Sequence, residues 1–551
     1  MKQKRILFLL LIMTFFVFTG GATWRMAKPP LFSYKEQIMG IYLVEDTILE
    51  GKEKLESELN PGVLFENTML PYDKDTNTLY IPQSLDKDEW IGSLSTELKD
   101  PDDNMFYLCS PIDGMWNDKN SAIRGNYGYC LWLVSEKYYY EMALVVTGTP
   151  IMAIHTERRE EVELPAYEED PDTFVFGVNE FFYGNIVVFD PDISGESYMI
   201  TETKVSYHER GGGSRITDKD AYNINILDMQ ENAMNVSLLG MREDDSWKLN
   251  ALYSDPNRVR DITASQIWEK INNADNAVEE PGPTMRYVEL IMDDQYQGLY
   301  CLMEPIDRKT LKLSAQDVLY KMINWNIPDA DAIQQSIDMH WNVQQPIRLR
   351  YPKVILSYEE AWKPIQEYLS LFYWTEETDY GQALEFVDLD NLIDYSLFLM
   401  AVSASDNSYH NTYYAAYYED GKYTMLALPW DLDQTFGNGL WTAKRDKVEF
   451  SPDVTKIYVQ NALLRLYEAA PQDVGPLVWE RWSEYRKSFL SMEAVYELFT
   501  ENRDYLVETG AAERESLRWP ESKVSTDISP ILEFQRERME WLDEYFYSWS
   551  E

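Results

Sequence analysis

The chain has 551 residues, of which 94 are acidic and 49 are basic, so 94 − 49 gives a formal net charge of -45. This charge repels polyanions, which excludes nucleic-acid binding and leaves the N-terminal segment as the one part suited to a membrane. Three cysteines and four histidines are too few for a disulfide scaffold, an iron–sulfur centre or a multi-histidine metal site, so any chemistry must come from carboxylates.

The N-terminus has the pattern of an export signal. Lys2, Lys4 and Arg5 precede the apolar run Ile6–Phe18, and no further charge appears until Arg25. Residues 1–25 are therefore either a cleaved signal peptide or an uncleaved membrane anchor, since the uncharged stretch reaches the ~18–20 residues that span a bilayer. A buried helix of the folded domain is the third reading. An export signal predicts that the protein is exported, and is either extracellular or anchored with its bulk outside.

Residues 26–313 mostly show the alternation of apolar and polar residues that is typical of β-strands. Short apolar runs broken by Pro, Asp and Asn predict a β-rich region at 26–147, and longer strand-like runs continue through 148–313. Within the second region, Asn257–Ile271 has helical spacing, and the apolar runs on either side of DDQYQG predict a hairpin. Cys109 and Cys130 could pair in an oxidising compartment, whereas Cys301 in an apolar strand is predicted to be a buried thiol.

From residue 314 to 551 the pattern changes to long amphipathic segments. The predicted helices are Tyr358–Phe372, Leu389–Ala401, Lys456–Ala469, Val478–Leu490, Met492–Glu508 and Ile531–Phe546. The predicted fold class is α+β. A β-rich lobe with one helix at 148–313, followed by a helical lobe at 314–551, is the outline of a bilobal protein-kinase-like fold, although unrelated α+β proteins share it.

The segment SASDNSYHNTYY places Asn411 five residues after Asp406. In kinases a carboxylate accepts the proton of the substrate hydroxyl, and an amide oxygen five residues later holds Mg²⁺. An Asp that caps a loop or a helix is the alternative reading. His410, between the two, would be either a proton shuttle or a packed neutral imidazole.

A second acidic motif follows in YTMLALPWDLDQTFG, where an apolar strand ends at Asp431 and Asp433. Two acids on one side of an extended chain repel each other unless a cation lies between them, which favours a divalent metal. The predicted hairpin YYAAYYEDGKYTMLAL joins this motif to Asp406, as a hairpin joins the catalytic and metal-binding Asp of kinases. The alternative is a pair of surface acids.

A third motif, HERGGGSR, places Gly211, Gly212 and Gly213 between two predicted strands, with Arg210, Ser214 and Arg215 beside them. Backbone amides of a glycine turn can approach a phosphate, and arginines can add charge-assisted contacts. A plain flexible hairpin is an equal reading of these residues.

Together these segments resemble the CotH (spore-coat protein H) kinase family, whose members look like atypical protein kinases. The resemblance extends over about residues 148 to 545 and includes NVSLLGMREDDSWKLNALYSDPNRVRD, RYVELIMDDQYQGLYCLMEPIDRKTL, SDNSYHNTYY and LPWDLDQTFG. It implies ATP and Mg²⁺ as cofactors, phosphate transfer to Ser or Thr, and a protein substrate or surface-protein partner. The implied site residues are Asp406 as catalytic base, Asn411, Asp431 and Asp433 at the metal, Arg210 to Arg215 and Lys219 near the phosphates, and Glu304 to Asp307 near the adenine.

One departure from the family pattern concerns the nucleotide lysine. After the glycine turn the family usually shows a basic run that leads into a strand, roughly K-K-S-Y-K/R. Here the run is Asp218-Lys219-Asp220-Ala221-Tyr222-Asn223, so Asn223, and then Asn225, stand where the lysine is expected. Asparagine cannot offset triphosphate charge, so a catalytically impaired pseudokinase that serves as a surface or cell-wall assembly module is the alternative function. Among Arg210, Arg215, Lys219 and Lys248, at least one should point into the cleft of an active kinase.

Overall fold

The computed structural model describes residues 31–33, 49–55, 60–82, 94–96, 105–109, 129–163, 178–191, 198–211, 217–272, 281–323, 327–344, 347–404, 406–407, 410–438 and 461–551. The predicted signal or anchor at 1–25 lies outside these residues, as do Gly212, Ser214 and Arg215 of the glycine turn. No helix within the described ranges is both long enough and apolar enough to cross a membrane.

The N-terminal region is β-rich, as predicted. One sheet has the strand order β1-β8-β9-β10-β6-β5, with β2 paired to β10, and a second has the order β4-β3-β7. The register of β8 and β9 places Cys109 opposite Cys130. The strands are β1 (Leu31–Ser33), β2 (Glu53–Lys54), β3 (Val63–Phe65), β4 (Thr68–Met69), β5 (Tyr72–Asp73), β6 (Thr78–Pro82), β7 (Leu94–Thr96), β8 (Met105–Cys109), β9 (Tyr129–Val134) and β10 (Tyr138–Thr147).

The next seven long strands form a closed barrel. They are β11 (Ile151–Glu163), β12 (Val178–Pro191), β13 (Tyr198–Arg210), β14 (Ala221–Leu227), β17 (Ser246–Asn250), β18 (Met285–Met292) and β19 (Gln295–Met303), and two short strands, β15 (Val236–Ser237) and β16 (Glu243–Asp244), precede β17. The strand order is β11-β12-β13-β14-β17-β19-β18. Parallel pairing of β11 with β18 closes the barrel.

Alternation along the strands separates the barrel core from its outer face. Ile224, Ile226, Trp247 and Leu249 are buried in one hydrophobic cluster with residues from the other strands. The residues between them therefore point outward, because successive side chains of a strand face opposite sides. The predicted hairpin around DDQYQG is β18–β19, where positive φ angles at Asp293 and Asp294 suit the tight two-residue turn between twisted strands.

The predicted helix between the strands is α1 (Arg260–Asn272). Asp255 caps its start, because its Oδ2 accepts hydrogen bonds from the backbone N–H groups of Val259 at 2.7 Å and Arg260 at 2.8 Å. The fully buried Trp268 makes edge-to-face contacts with Tyr395 and Phe398. Helix α1 thus joins the barrel to the C-terminal half of the chain.

The C-terminal half contains a helix at each predicted position and, in addition, a five-stranded sheet; residues 456–460 of the predicted helix Lys456–Ala469 lie outside the described residues, and the helix predicted at Val478–Leu490 runs from Pro471 to Lys487. The helices are α2 (Ala330–Asp338), α3 (Tyr358–Phe372), α4 (Tyr380–Leu384), α5 (Leu389–Val402), α6 (Asn461–Ala469), α7 (Pro471–Lys487), α8 (Met492–Glu508), α9 (Ala511–Arg518) and α10 (Ser529–Trp549). The sheet has the order β21-β22-β20-β23-β24, formed by β20 (Val318–Met322), β21 (Val343–Gln344), β22 (Ile347–Tyr351), β23 (Thr412–Glu419) and β24 (Lys422–Pro429). Of this sheet, only the β23–β24 hairpin was predicted from the sequence.

Helix α9 connects the helical half to the barrel through hydrogen bonds and ion pairs. Glu515 of α9 accepts hydrogen bonds from the ammonium of Lys219 at 2.8 Å and from the backbone N–H of Leu299 at 2.8 Å. The neighbouring Arg514 donates to Glu289 of β18 at 2.7 Å. All these charged groups are buried, so α9 contacts the barrel through ion pairs that are shielded from solvent.

Candidate active site

Asp406 lies in a short loop between α5 and β23. Helix α5 ends at Ser403, whose φ of 54° is left-handed. The side-chain amide of Asn407 then donates to the backbone oxygens of Asn411 at 3.0 Å and Trp430 at 2.7 Å. These two bonds tie the loop to the end of β24, which brings the Asp406 motif and the Asp431 motif side by side.

Three polar side chains meet at this point, and we call them the Asp406 cluster: Asp406, Asn411 and Asp431. The register of the β23–β24 hairpin pairs Thr412 with Pro429, so Asn411 and Asp431 emerge from adjacent strand ends. The Nδ2 of Asn411 lies 2.9 Å from Asp406 Oδ2 and 3.5 Å from Asp431 Oδ2. His410 also joins Asp406, with its Nδ1 3.1 Å from Oδ2.

Two further carboxylates adjoin the cluster. Asp433 accepts hydrogen bonds from the hydroxyl of Ser254 and, at 3.2 Å, from the amide of Gln434. Asp261 in the first turn of α1 accepts the backbone N–H of Leu432 at 3.1 Å. Asp261 was not predicted from the sequence, because an acid in the first turn of a helix is commonly explained by the helix dipole alone.

Burial and neighbouring carboxylates raise the pKa values of Asp431, Asp433 and Asp261. Burial, and then the charge of Asp431, raise the pKa of Asp433 to about 7. Burial also raises the pKa of Asp431, where Asp406 adds to the rise while Arg210 and Lys321 oppose it. Burial and then Asp431 raise the pKa of Asp261 well above its ordinary value. Such a set of buried carboxylates is stabilised by a cation placed among them.

The residues of the cluster offer the oxygen ligands that Mg²⁺ binds. Across the described ranges, no group of three or more His, Cys, Asp or Glu side chains has the arrangement of a metal site. Mg²⁺ commonly binds through one or two carboxylates together with water and substrate phosphates. Asp431 could supply a carboxylate, with Asp433 beside it, and Asn411 could supply its amide oxygen once its amide group turns over, an orientation set by the hydrogen-bond network.

Two buried cations lie beside the cluster. The guanidinium of Arg210 and the ammonium of Lys321 are each 5.8 Å from the ring centre of Trp430. Both lower the pKa of Asp431, so both act on the residue next to that tryptophan. Arg210 was predicted, whereas Lys321 of β20 was not, because a lysine in a short apolar strand gives no distinguishing pattern.

The other predicted residues are placed as follows. Lys219 is fully buried and belongs to the separate ion pair with Glu515, where burial lowers its pKa to about 8. Glu304 accepts the backbone N–H of Arg242 at 2.8 Å, and burial raises its pKa. Gly211 has a φ of 89°, which suits a glycine that opens a turn.

Comparison with known proteins places this site within a matched family region. A sequence model of the family described as CotH kinase protein matches residues 208–542, which is more than half of the chain. The matched range begins in β13, ends in α10, and contains the whole Asp406 cluster. No curated protein matches the chain.

Proposed function

Because the chain belongs to the CotH kinase family, we propose that it is a kinase-like phosphotransferase that moves the γ-phosphate of ATP to Ser or Thr of an exported, surface or coat protein. The observation that carries the proposal is the convergence of Asp406, Asn411 and Asp431, with the amide of Asn411 between two carboxylates at 2.9 and 3.5 Å. This combination of residue types is the one that kinases use for a base and a metal.

The order of elements supports a bilobal kinase-like arrangement. After strand β13 and the glycine-rich segment come strands β14 and β17, separated by the short β15 and β16. Helix α1 and the hairpin β18–β19 follow, and the chain then passes Glu304 to Asp307 into the helical half. Kinases have this order in their N-terminal lobe, with a glycine-rich loop after the first strand and a helix after the third long strand. ATP would then lie between the outer face of the barrel and the Asp406 cluster.

In the proposed reaction the oxygen of a substrate hydroxyl attacks the γ-phosphorus, and the bond from that phosphorus to the bridging oxygen of ADP breaks. Asp406 takes the hydroxyl proton, and ADP leaves with the bridging oxygen. Asn411 and Asp431 would hold Mg²⁺, with Asp433 beside them, and this ion would neutralise phosphate charge. Arg210 and Lys321 add positive charge next to Asp431, which is where a triphosphate would otherwise meet repulsion.

The acceptor is proposed from the export signal at residues 1–25. A protein that faces outward meets exported or surface proteins, and the family name refers to the spore coat. ATP is scarce outside the cell, so transfer would take place during export or with ATP supplied locally. Attachment to the membrane, where present, would involve only the N-terminal segment.

Calorimetry of the full chain with ATP and Mg²⁺ tests the proposal. We expect binding that depends on Mg²⁺, and we expect the double variant Asp406→Asn/Asp431→Asn to lose it. Asp420→Asn is the matched control, because Asp420 lies at the exposed tip of the same hairpin and loses the same type of charge. Retention of Mg²⁺-dependent binding by the double variant would show that the cluster is not the metal site.

The alternative function is a pseudokinase that acts as a surface or cell-wall assembly module. It is favoured by one observation, the asparagine at position 223 where the family pattern has a basic residue. In that case the native chain would be stably folded yet would give no heat of binding with ATP and Mg²⁺.

A further inference from the structure

We propose that Lys248 of β17 supplies the positive charge that the sequence lacks at Asn223 of β14, so that the nucleotide lysine of this chain stands one strand away from its expected position. The inference rests on the proposed function, since it assigns a residue to the same nucleotide site. Its consequence is that Asn223 is part of a nucleotide site that still carries its charge.

The strand register places Asn223 and Lys248 side by side. Their positions pair directly between β14 and β17, and directly paired residues on one face of a sheet have Cβ atoms about 4.5–5.5 Å apart. The ammonium of Lys248 donates a hydrogen bond to Oδ1 of Asn223. On the other side, Nδ2 of Asn223 lies 2.8 Å from Nε2 of His208, so the amide is oriented with its oxygen toward the lysine.

A row of paired positions continues across the outer face of the barrel. His208 pairs with Asn223, Asn223 with Lys248, and Lys248 with Met303. Met303 directly precedes Glu304, where the adenine is proposed to lie. At the opposite end, Arg210 follows His208 by two residues, faces the same side, and acts on Asp431. Lys248 therefore lies between the proposed adenine end and the proposed phosphate end.

The same strand is also connected to the metal-binding segment. Asn250, two residues after Lys248 and on the same face, donates to Oδ2 of Asp261. The other oxygen of Asp261 accepts the N–H of Leu432, between Asp431 and Asp433. The outer face of β17 is thus joined to the Asp431 segment through one intermediate residue. In kinases the strand just before the first helix carries the lysine that pairs with nucleotide phosphates.

Lys219, the surviving lysine of the basic run, is not equivalent. Its ammonium is fully buried, with Glu515 Oε1 and Oε2 at 2.8 and 2.9 Å and the backbone oxygen of Leu299 as a third acceptor. Three acceptors occupy all three of its N–H groups. Lys248 is only partly buried, so its ammonium is more accessible to a ligand than that of Lys219.

The test compares ATP with adenosine in calorimetry of the full chain in Mg²⁺. We expect Lys248→Met to weaken ATP binding at least about tenfold, since it removes a charge-assisted contact, and to change adenosine binding less than about twofold. Lys248→Arg should recover part of the loss. Lys204→Met is the matched control, because Lys204 lies on β13 of the same barrel and pairs instead with Glu157 at 2.7 Å. A thermal unfolding midpoint close to that of the native chain shows that each variant is folded.

Exchange of the two residues provides the second arm. The double variant Asn223→Lys/Lys248→Asn should bind ATP about as well as the native chain. Asn223→Lys alone should raise ATP affinity little, because it adds a second ammonium beside that of Lys248. A large gain from Asn223→Lys alone, or unchanged ATP binding in Lys248→Met, would overturn the inference while leaving the proposed function intact. Absence of ATP binding in the native chain and in the exchange variant alike would overturn the proposed function as well.

Discussion

Two residues of the Asp406 cluster have backbone conformations that most residues avoid. Asn411 has a φ of 51° and Asp431 a φ of 59°, in the left-handed region that Asn and Asp tolerate better than other non-glycine residues. The Asn407 amide, through its bonds to the backbone of Asn411 and Trp430, helps to hold both turns. The backbone of the cluster is therefore held by its supporting loop.

The hydrogen bond from the backbone N–H of Leu432 to Asp261 can be tested for its contribution to the stability of the Asp431 segment. In Asp261→Ala the buried N–H of Leu432 loses its acceptor, which costs about 1–3 kcal/mol for a buried donor. Asp261→Asn keeps an oxygen that can accept the bond, and both variants remove the same repulsion with Asp431. We therefore expect the alanine variant to unfold at lower urea concentration than the asparagine variant, with Mg²⁺ absent from both samples. Equal midpoints would show that this hydrogen bond does not support the Asp431 segment.

Residue chemistry explains what could be predicted at the site. Asp406, Asn411, Asp431 and Arg210 belong to motifs in which a reaction demands particular residue types at particular spacing. Lys321 and Asp261 reach the site from β20 and α1, which are distant in sequence, and each resembles an ordinary residue of its element. Only the packing of strands and helices brings them to Asp431.

Helices and strands, too, could be predicted only where the sequence has a distinctive pattern. Helices Tyr358–Phe372 and Met492–Glu508 were predicted with their observed bounds, because each follows a serine N-cap and has a regular apolar stripe. The strand Val318–Met322 was missed because all five of its residues are buried. A strand covered on both faces shows no alternation, and its short apolar run cannot be told from a piece of buried helix.

The contact between helix α9 and the barrel leads to a prediction for Arg514. Burial would raise the pKa of Glu289, but the charge and hydrogen bonds of Arg514 outweigh it and hold that pKa below its ordinary value. In Arg514→Met the carboxylate stays buried without its partner, and we expect a loss of about 3–5 kcal/mol in the free energy of unfolding at pH 7. Urea unfolding measures this loss.

The stability difference between the native chain and Arg514→Met should depend on pH in a definite direction. In the native chain Glu289 contributes stability above its unfolded-state pKa, and this is lost only as the pH falls through its lowered folded-state pKa. In Arg514→Met, burial raises the folded-state pKa, so acidification protonates Glu289 and relieves the penalty. The gap between the two proteins should narrow from pH 7 to pH 5. For the control variant Glu289→Gln/Arg514→Met, the loss of stability relative to the native chain should be smaller and independent of pH. If the loss in Arg514→Met instead grew on acidification, the role given to the Glu289–Arg514 pair would be wrong.

At the scale of the whole molecule, the net charge of -45 and the buried cations near Asp431 act on ATP over different distances. The Debye length shortens from about 30 Å at 0.01 M salt to about 8 Å at 0.15 M. Added salt therefore screens the repulsion from distant carboxylates much more than the attraction of Arg210, Lys321 and Lys248 at contact distance. An acidic chain with a small positive site should capture a polyanion faster as salt is added.

We accordingly expect the association rate of ATP, measured by stopped flow in constant Mg²⁺, to rise severalfold between 0.01 and 0.15 M salt, the range over which the Debye length falls below the width of a domain. Adenosine carries no charge, so its association rate should stay constant and serves as the control. Most ligands steered by opposite charge show the reverse trend. A rate for ATP that falls with salt would mean that the field at the entrance to the site is positive, and that the acidic surface does not govern how the nucleotide arrives.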